Sequence, residues 1–380
     1  MRSIKTKLLS LGMAGSMLLT LAGCNLSTPS SVGTIGDVEI PAGVYLLAQY
    51  NAYNTASGLA DLATGETAND VKAVLKAECT GTIGDEEVTA TGSEYIEKLT
   101  MRAIEYYAAV ETKFAELGAT LEDAATSEVA DNVDSMWESN GDLYEANGIG
   151  KSSLQAYLLN AQKASTIMDL IYGAQGTDPV SDEEYTDFVN NSCYYIESVQ
   201  IPLVDYSTYT MADDTQKAQL EDLAEQCRQQ LSEEANSQTT STSALYEAVA
   251  TYVPQAMELI GATMEDASQA VYYAGSQLYT PDDVANYGDD EYNNLTDPLD
   301  EAGMNQWTII DLGTMLLVAR RIDPFKTYTI AQLTSMYDLL TALKSDDLQN
   351  EFYADGAALP HALDEGAMKT YSASKIKKNV

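Results

Sequence analysis

The sequence predicts an α+β protein in which helices dominate and a few strands are confined to two regions. Apolar residues recur every three or four positions in long stretches of the chain, which is typical of amphipathic helices. Alternating, strand-like segments occur only near the beginning of the chain and between residues 194 and 321. Helical stretches are therefore expected on both sides of a smaller, strand-containing region.

The first 24 residues have the pattern of an export signal that ends in an acylated cysteine. Arg2, Lys5 and Lys7 precede an apolar run over residues 8–22, which is the order found in secretory signals. The letters LAGC at positions 21–24 resemble the bacterial lipobox, in which the cysteine is acylated and the chain is cut before it. Residues 1–23 are thus a predicted signal peptide and Cys24 a predicted lipidation site. A plain secretory signal or an N-terminal membrane helix is the alternative.

The polar residues that follow Cys24 predict a flexible tether over 24–33. Two acyl chains anchor a protein stably, because each buried methylene contributes about 0.8 kcal/mol. No later apolar run has the length of a membrane span. The expected location is the extracytoplasmic face of the cell membrane, with lipid as the anchor.

The charge of the chain restricts its partners. It carries 20 basic and 58 acidic residues, for a formal net charge of −38. Nucleic acids and anionic lipid surfaces are therefore excluded as general partners. Basic polypeptides, cations or simple solubility remain as explanations of the acidic surface.

The first helical stretch begins with a hairpin. Residues 34–35 and 38–40 flank the turn Gly36-Asp37, and Pro41 then predicts the first turn of a helix. A helix is predicted over Ser93–Leu117, and another over residues 121–140. The buried face expected for the Ser93–Leu117 helix is Leu99, Ala103, Tyr106, Val110 and Leu117.

A further helix is predicted over Ser152–Ile171, with Ser152 and Gln155 as a capping box. The letters GIGKSS before it do not form a phosphate loop, because Glu145 stands where that motif requires glycine. Lys151 and Ser152 are instead expected at the start of the helix.

The second half of the chain alternates strands and helices. Pro179 and Val180 precede a short acidic helix, and a strand follows over Tyr194–Val204. A hairpin is predicted about Gly313, with strands at 308–312 and 315–321. Helices are expected over 215–234, 244–260, 330–343 and 365–371, and a short one capped by Ser345.

The cysteines and the single histidine do not predict a metal or cofactor site. Besides Cys24, the chain has Cys79, Cys193 and Cys227 without a C-x-x-C pair, and His361 is its one histidine. A zinc site needs a cluster of such ligands. Cys227 lies on an apolar stripe and is expected to be a buried thiol, with a Cys193–Cys227 disulfide as the alternative. The residues of that stripe are Leu220, Leu223, Ala224, Cys227 and Leu231.

The order of these elements resembles the PrsA and SurA families of extracytoplasmic foldases. The sequence segments that carry the resemblance are VGTIGDVEIPAGVY, NGIGKSSLQAYLLNAQKASTIMDLIYG with VSDEEYTDFV, and DEYNNLTDPLDEAGMNQWTIIDLGTMLLVARRID. The resemblance implies a SurA-like helical chaperone domain over 34–190 and an inserted parvulin-like α+β domain over 191–324. A C-terminal helical segment over 325–380 would then pack back on the first domain.

Parvulin domains carry two histidines that face each other beneath the prolyl bond, on their first and last strands. The resemblance places these positions at Gln200 and Met315. The Gly-Gly-Asp-Leu-Gly signature of that family is also absent; ATMEDASQAVYYAGS occupies its region. Methionine offers no useful hydrogen-bond donor, and His361 is expected in a partly exposed loop of the closing segment. No catalytic residue is therefore expected.

These observations predict a chaperone that binds unfolded or newly exported polypeptides, without prolyl isomerase catalysis and without a cofactor. The 25 tyrosines and 13 methionines supply adaptable contact area, notably in YYAGSQLY and CYYIESV. The alternatives are an active prolyl isomerase of the parvulin type, and a solute-binding or adhesion lipoprotein. The acidic segment YGDDEYNNLTD is expected to be a solvated loop. It is not a calcium-binding loop, because Asn294 stands where such a loop requires glycine.

Overall fold

A computed structural model of the chain describes residues 29–84, 86–234, 242–262, 266–287 and 294–378. Helices dominate, and the strands form small antiparallel sheets, so the α+β prediction is confirmed. Within these residues, no helix has both the length and the apolarity needed to cross a bilayer.

The opening hairpin is confirmed. Strands β1 (Ser31–Ile35) and β2 (Val38–Pro41) flank Gly36, whose φ of +56° suits a glycine in a tight turn. Helix α1 (Ala42–Leu59) follows directly, with Pro41 as its N-cap. Antiparallel pairing with β1 places a third strand, close to the end of the chain, in the same sheet.

A second hairpin follows that the sequence did not predict. Helix α2 (Val71–Lys76) is short, and strands β3 (Glu78–Ile83) and β4 (Glu86–Thr91) pair antiparallel beside it. Outward-facing residues such as Thr80 and Thr89, whose hydroxyls are 2.9 Å apart, make the apolar alternation weak. The hairpin nevertheless carries buried Cys79 into a cluster with Tyr53 and Tyr95.

Three long helices form the body: α3 (Gly92–Glu116), α4 (Asp123–Ala146) and α5 (Lys151–Tyr172). The expected buried stripe of α3 is only partly right. Val110 is buried, Leu117 is 38% exposed, and the remaining predicted residues are half-buried. Several cores surround this helix, so its fully buried residues occupy a wider arc than one stripe. The larger of them are Tyr95, Ile96, Thr100, Ile104, Tyr107, Ala108, Ala109 and Val110.

The predicted capping box at Ser152 is wrong. Gly150 is the N-cap of α5, and it makes no side-chain capping bond. Lys151 is the first helical residue, as expected, and its ammonium lies 2.6 Å from Asp134. The true capping boxes of this region are Thr91 with Glu94 and Ser181 with Glu184.

Helix α6 (Asp182–Ser192) leads into the strand-containing region. The predicted strand over Tyr194–Val204 is two strands, β5 (Tyr194–Pro202) and β6 (Val204–Asp205). Strand β7 (Thr210–Met211) pairs with β6 in a small hairpin. Helices α7 (Asp214–Glu234) and α8 (Thr242–Leu259) follow, close to their predicted bounds.

A four-stranded antiparallel sheet forms the centre of this region. A 3₁₀ helix (Ala267–Tyr273) precedes β8 (Ala274–Tyr279), and the short helices α9 (Pro281–Ala285) and α10 (Asp297–Ala302) follow. The predicted hairpin about Gly313 is confirmed as β9 (Thr308–Asp311) and β10 (Met315–Arg321). The strand order is β8-β5-β10-β9. Helices α7 and α8 cover one face of the sheet, where Cys227 and its predicted stripe are all buried.

A buried ion pair links the two central strands on that helix-covered face. Arg320 is opposite Glu197 in the register, and its Nε donates to Glu197 Oε2 at 2.8 Å. Arg320 Nη2 lies 2.7 Å from the same oxygen as an ion-pair contact. Arg320 Nη1 and the neighbouring Trp307 Nε1 have no hydrogen-bond partner among the described residues.

The closing segment returns to the body. The predicted helix over 330–343 is interrupted at Tyr337, which separates α11 (Ile330–Met336) from α12 (Leu339–Ala358). Ser345 lies inside α12, so the short helix it was expected to cap does not form. Gly356 allows α12 to approach the backbone of α3, since a Cβ there would lie 2.2 Å from Glu105 O. Strand β11 (His361–Leu363) pairs with β1, and α13 (Glu365–Thr370) follows it.

Candidate functional site

The structure places Gln200 and Met315 side by side on the two central strands. Gln200 is opposite Leu317 in the β5–β10 register, and Met315 is opposite Pro202. Paired residues share a face and successive residues alternate between faces, so Gln200 and Met315 are diagonal neighbours on one face. This is the adjacency that the family resemblance implies for the two positions.

That face lies opposite the one covered by α7 and α8. The residues packed there are Ile196, Leu295, Leu299, Ile310, Leu317 and Ala319. Gln200 and Met315 are both half-buried, and Gln200 makes no side-chain hydrogen bond within the described residues. Residues 288–293, which contain most of the predicted acidic loop YGDDEYNNLTD, lie outside the described residues.

His361 does not approach these two residues in the fold. It begins strand β11 beside the opening hairpin, and its Nε2 lies 3.0 Å from Glu105 Oε1. The expected loop position is therefore wrong, because pairing with β1 extends the backbone there, although the imidazole is partly exposed as predicted. The described part of the sheet face thus has no imidazole to act on a prolyl bond.

The other predicted residues fall into two groups. Cys24 lies outside the described residues. Cys193 and Cys227 are both buried as free thiols, so the disulfide alternative does not occur. Burial raises the pKa of each of these thiols to about 12, because the thiolate would lose its hydration. Within the described residues, no cluster of side chains could hold a metal ion.

A surface rich in tyrosine is the most distinctive exposed feature of the sheet region. Tyr206 and Tyr209 are 53% and 83% exposed, Met211 is 52% exposed, and Tyr272 is 81% exposed. Tyr273 is half-buried and close enough to Tyr206 for the two phenol groups to interact electrostatically. These five residues, here called the tyrosine surface, come from the β6–β7 hairpin and from the 3₁₀ helix before β8.

Local hydrogen bonds build the hairpin that carries Tyr206 and Tyr209. Asp205 Oδ1 accepts from the backbone and hydroxyl of Ser207 at 2.9 and 2.7 Å, and Oδ2 accepts from Thr208 Oγ1 at 2.7 Å. These bonds hold the pKa of Asp205 below its usual range, because they favour the carboxylate. Tyr209 itself has a φ of +54°, a conformation that is uncommon for a tyrosine. Large exposed apolar groups on a strained turn are typical of functional surfaces.

The tyrosine surface continues into an open sheet edge. Strand β8 is an outer strand of the sheet, and its residues 275–277 are exposed. The backbone N–H of Leu278 points away from β5 and donates to Tyr337 Oη at 3.2 Å. Because backbone direction alternates along a strand, the N–H and C=O groups of Ser276 also point outward. An extended polypeptide could pair with this edge.

The surroundings of this surface are acidic. Residues 204–216 and 266–287 contain no lysine or arginine, whereas they contain Asp205, Asp213, Asp214 and Asp266 and two aspartates of α9. The combination of aromatic faces and carboxylates suits segments that carry both apolar and basic side chains.

The sequence points to this surface only in part. The tyrosine-rich segment YYAGSQLY supplies Tyr272, Tyr273 and the open edge of β8, as its composition suggests. The segment CYYIESV has a similar composition but is core, since Tyr195 is 3% exposed. Tyr206 and Tyr209 were missed, although a Tyr-Ser-Thr-Tyr run between two strands is a turn signal that could have located them.

Comparisons with known proteins give one loose likeness. No protein-family model matches the chain, and no curated protein matches it. The chain is similar to the crystal structure of foldase protein PrsA from Streptococcus pneumoniae, with 7% sequence identity and a TM-score of 0.36. The overlap covers 77% of this chain and 98% of that chain.

Proposed function

We propose that this protein is a membrane-tethered chaperone that binds unfolded, newly exported polypeptides outside the cell, without prolyl isomerase catalysis. The observation that carries the proposal is the tyrosine surface, with its open strand edge and acidic surroundings. Four of its five side chains are more than half exposed. Clusters of large exposed apolar side chains are typical of interaction surfaces.

The chemistry of the surface suits clients without a fixed fold. Tyrosine presents a large rigid ring and a hydroxyl, so it contacts many partners with little loss of side-chain entropy. The open edge of β8 can bind main-chain groups whatever the client's sequence. The net charge of −38 attracts basic segments from a distance, an effect that salt screens.

The absence of catalysis is proposed from Gln200 and Met315. Rotation about a prolyl bond faces a barrier of about 18–20 kcal/mol, and catalysis needs polar groups aimed at the imide. A methionine thioether and an amide replace the two imidazoles of the parvulin family at these positions. A proline-limited refolding assay should show the uncatalysed rate. A refolding rate that rises in proportion to the protein concentration would overturn this part of the proposal.

The chaperone proposal is tested with the soluble chain from residue 25 onward. A reduced, denatured basic secreted protein such as lysozyme is diluted with increasing amounts of this chain, and aggregation is followed by light scattering. Suppression is expected at substoichiometric to equimolar ratios, and it should weaken as salt is raised from about 50 to about 500 mM, because salt screens the attraction between charges. A lack of suppression at every salt concentration would contradict the proposal.

The lipid anchor is proposed from the lipobox-like sequence, and the domain division from the resemblance to the PrsA and SurA families. Cys24 would carry the lipid, residues 34–190 and 325–380 would form one helical chaperone domain, and 191–324 would be the inserted parvulin-like domain. The unmodified protein should incorporate a labelled fatty acid, and a Cys24→Ala variant should not. An unmodified protein that stays in the membrane fraction without incorporating the label would indicate an uncleaved membrane helix instead.

The solute-binding alternative is disfavoured by the sheets. Solute-binding lipoproteins usually have two α/β lobes with strand-helix repeats. Every strand pair within the described residues is antiparallel, and the largest sheet has four strands. No such pair of lobes occurs in the described part of the chain.

A further inference from the structure

A groove on the helical body already holds an extended, lysine-rich segment, which is supplied by the chain itself. Residues 371–378, here called the tail segment, run from Tyr371 past the 3₁₀ turn Ala373–Lys375 to Lys378. They lie against α1 and the end of α4. The Tyr371 hydroxyl donates to Pro29 O and fixes the beginning of the segment.

The groove recognises the main chain of the tail segment. The Asn147 side chain donates from Nδ2 to Lys377 O at 2.9 Å and accepts from Lys377 N at 2.8 Å on Oδ1. One carboxamide therefore satisfies both backbone groups of one residue, as a neighbouring strand would. This contact is independent of the identity of the side chain at that position.

Two side chains of the tail segment enter the groove. Ile376 packs between two apolar clusters, one of which contains Leu47 and Val133 and the other Tyr53 and Val74. The Lys378 ammonium donates to Asn54 Oδ1 at 2.5 Å and lies 4.9 Å from the centre of the Tyr50 ring.

The site of the Lys378 ammonium uses two aromatic rings, one amide and one hydroxyl in place of a carboxylate. The Lys378 ammonium is also 5.6 Å from the centre of the Tyr53 ring, and it donates to the Tyr50 hydroxyl at 3.3 Å. No described carboxylate is within ion-pair distance of it. Cation–π contacts are stronger the further the cation is removed from water. Such a site selects a cation on a flexible segment and does not specify the side chains that flank that cation.

The groove continues beyond Lys378. A depression of about 500 Å³ is lined by Lys378 itself, by Trp137 and by Glu138, Asp142 and Glu145. A longer basic segment could therefore place a further cation among these carboxylates. Beneath the tail segment there is a second cavity of about 240 Å³, lined by Leu46, Tyr50 and Gly148 among others. The tail segment thus occupies the groove without filling it.

We infer that this groove is a binding site for extended, lysine-containing polypeptide segments, and that the tail segment occupies it in competition with them. The inference rests on the proposed function only for the origin of those segments, which would be exported clients. A tethered segment acts at an effective concentration in the millimolar range. The tail segment therefore excludes weak partners and yields to segments that bind more tightly than it does.

The test uses a fluorescent peptide with the sequence of Ser374–Asn379, SKIKKN, and fluorescence anisotropy. The soluble chain from residue 25 is compared with the same chain ending at Ser372. The shortened chain should bind the peptide at least tenfold more tightly than the full chain. An added Asn147→Ala substitution should remove most of that gain. A full chain with Ile376→Ser and Lys378→Ala serves the same purpose if the shortened chain does not unfold cooperatively.

Two control peptides decide the kind of partner. The peptide AAIAKA, which keeps the spacing of Ile376 and Lys378 and changes the other side chains, should also bind the shortened chain, because the groove contacts main chain, one apolar group and one cation. The peptide SQIQQN, which lacks the cations, should bind at least tenfold more weakly than SKIKKN. Equal binding of SKIKKN by the full and shortened chains, or no binding by either, would overturn the inference. Binding of SKIKKN alone would show a dedicated intramolecular strap and would overturn it too.

The result is separable from the chaperone proposal. Aggregation suppression by the tyrosine surface uses the sheet region, whereas the peptide assay uses the helical body and a purified peptide. Loss of peptide binding would leave suppression intact, and loss of suppression in tyrosine variants would leave peptide binding intact.

Discussion

The helical body and the sheet region differ in how they bury polar groups and expose apolar ones. The body keeps its buried polar groups satisfied: Asn160 donates to Tyr107 O and to Glu111, and the Thr100 hydroxyl donates to Ile96 O. The sheet region buries Arg320 with an unpartnered nitrogen and exposes its tyrosines. The body covers its groove with its own tail segment. The sheet region leaves the tyrosine surface uncovered.

The two regions differ in how their buried polar groups are paired and in how much apolar area they expose. A satisfied, apolar body provides a stable frame, whereas the sheet region exposes contact area that a monomeric protein normally hides. The buried ion pair of the sheet region joins Glu197 of β5 to Arg320 of β10, which are opposite each other in the register. Substitutions in the helical body and in the sheet region should therefore differ in the size of their effects.

The largest effect is expected at the buried ion pair. Glu197→Gln leaves the Arg320 charge without its counter-ion at a site that is 0% exposed. Removing one partner of a buried pair costs about 3–5 kcal/mol, so the free energy of unfolding should fall by about that amount in a urea titration. Glu225→Gln is the matched control, because its partner Arg228 is partly exposed and the pair is surface-screened. Equal losses in the two variants would show that the buried charge is not the determinant.

A smaller effect is expected where the closing segment meets the body. Gly356→Ala would push a methyl group against the Glu105 carbonyl, so α12 must shift away from α3. We expect a loss of about 1–3 kcal/mol, the range found for overpacked cores. Gly58→Ala is the control, since a Cβ added there would meet no atom within 4 Å and alanine favours an exposed helix. Similar unfolding midpoints for both variants would contradict this close approach.

The local features of this fold can be predicted from the sequence, whereas the features that depend on distant parts of the chain cannot. Helices α3, α7 and α8 can be predicted to within two residues at each end, because periodicity and caps are local signals. The β3–β4 hairpin, β8 and β11 were missed because their pairing depends on chain segments far apart or on weakly apolar faces. His361 shows the point well: its strand partner, β1, lies more than 300 residues away.

The candidate site shows the same limit. The strands that carry Gln200 and Met315 could be predicted, because their apolar residues form clear local patterns. The exposure of Tyr209 could not, since it depends on the β6–β7 turn, and neither could the burial of Tyr195 in the core. The groove that holds the tail segment could not be predicted from the sequence either, because Asn147 and Lys377 meet only after the whole chain has folded.

The smallest stability effect is expected from alkaline pH. The folded state keeps the Cys227 thiol protonated up to about pH 12, whereas an unfolded thiol ionises near pH 9. The unfolded state therefore binds fewer protons between these values, and stability falls as pH rises through this window. Between pH 8 and 10 the contribution of this thiol is about 1 kcal/mol. Cys227→Ala should lose that much less over the same interval in urea titrations, and an identical loss would contradict the assigned burial effect.

The central claim is that the tyrosine surface binds clients. Its most direct test is the aggregation assay with Tyr209→Ser combined with Tyr272→Ser, against a control with Leu117→Ser and Met304→Ser, two exposed apolar residues elsewhere. Aromatic contacts at an interface contribute on the order of 1–2 kcal/mol each. We expect the tyrosine variant to need roughly thirtyfold more protein or above for half-suppression, while the control matches the unmodified chain. Equal suppression by all three proteins would contradict this claim.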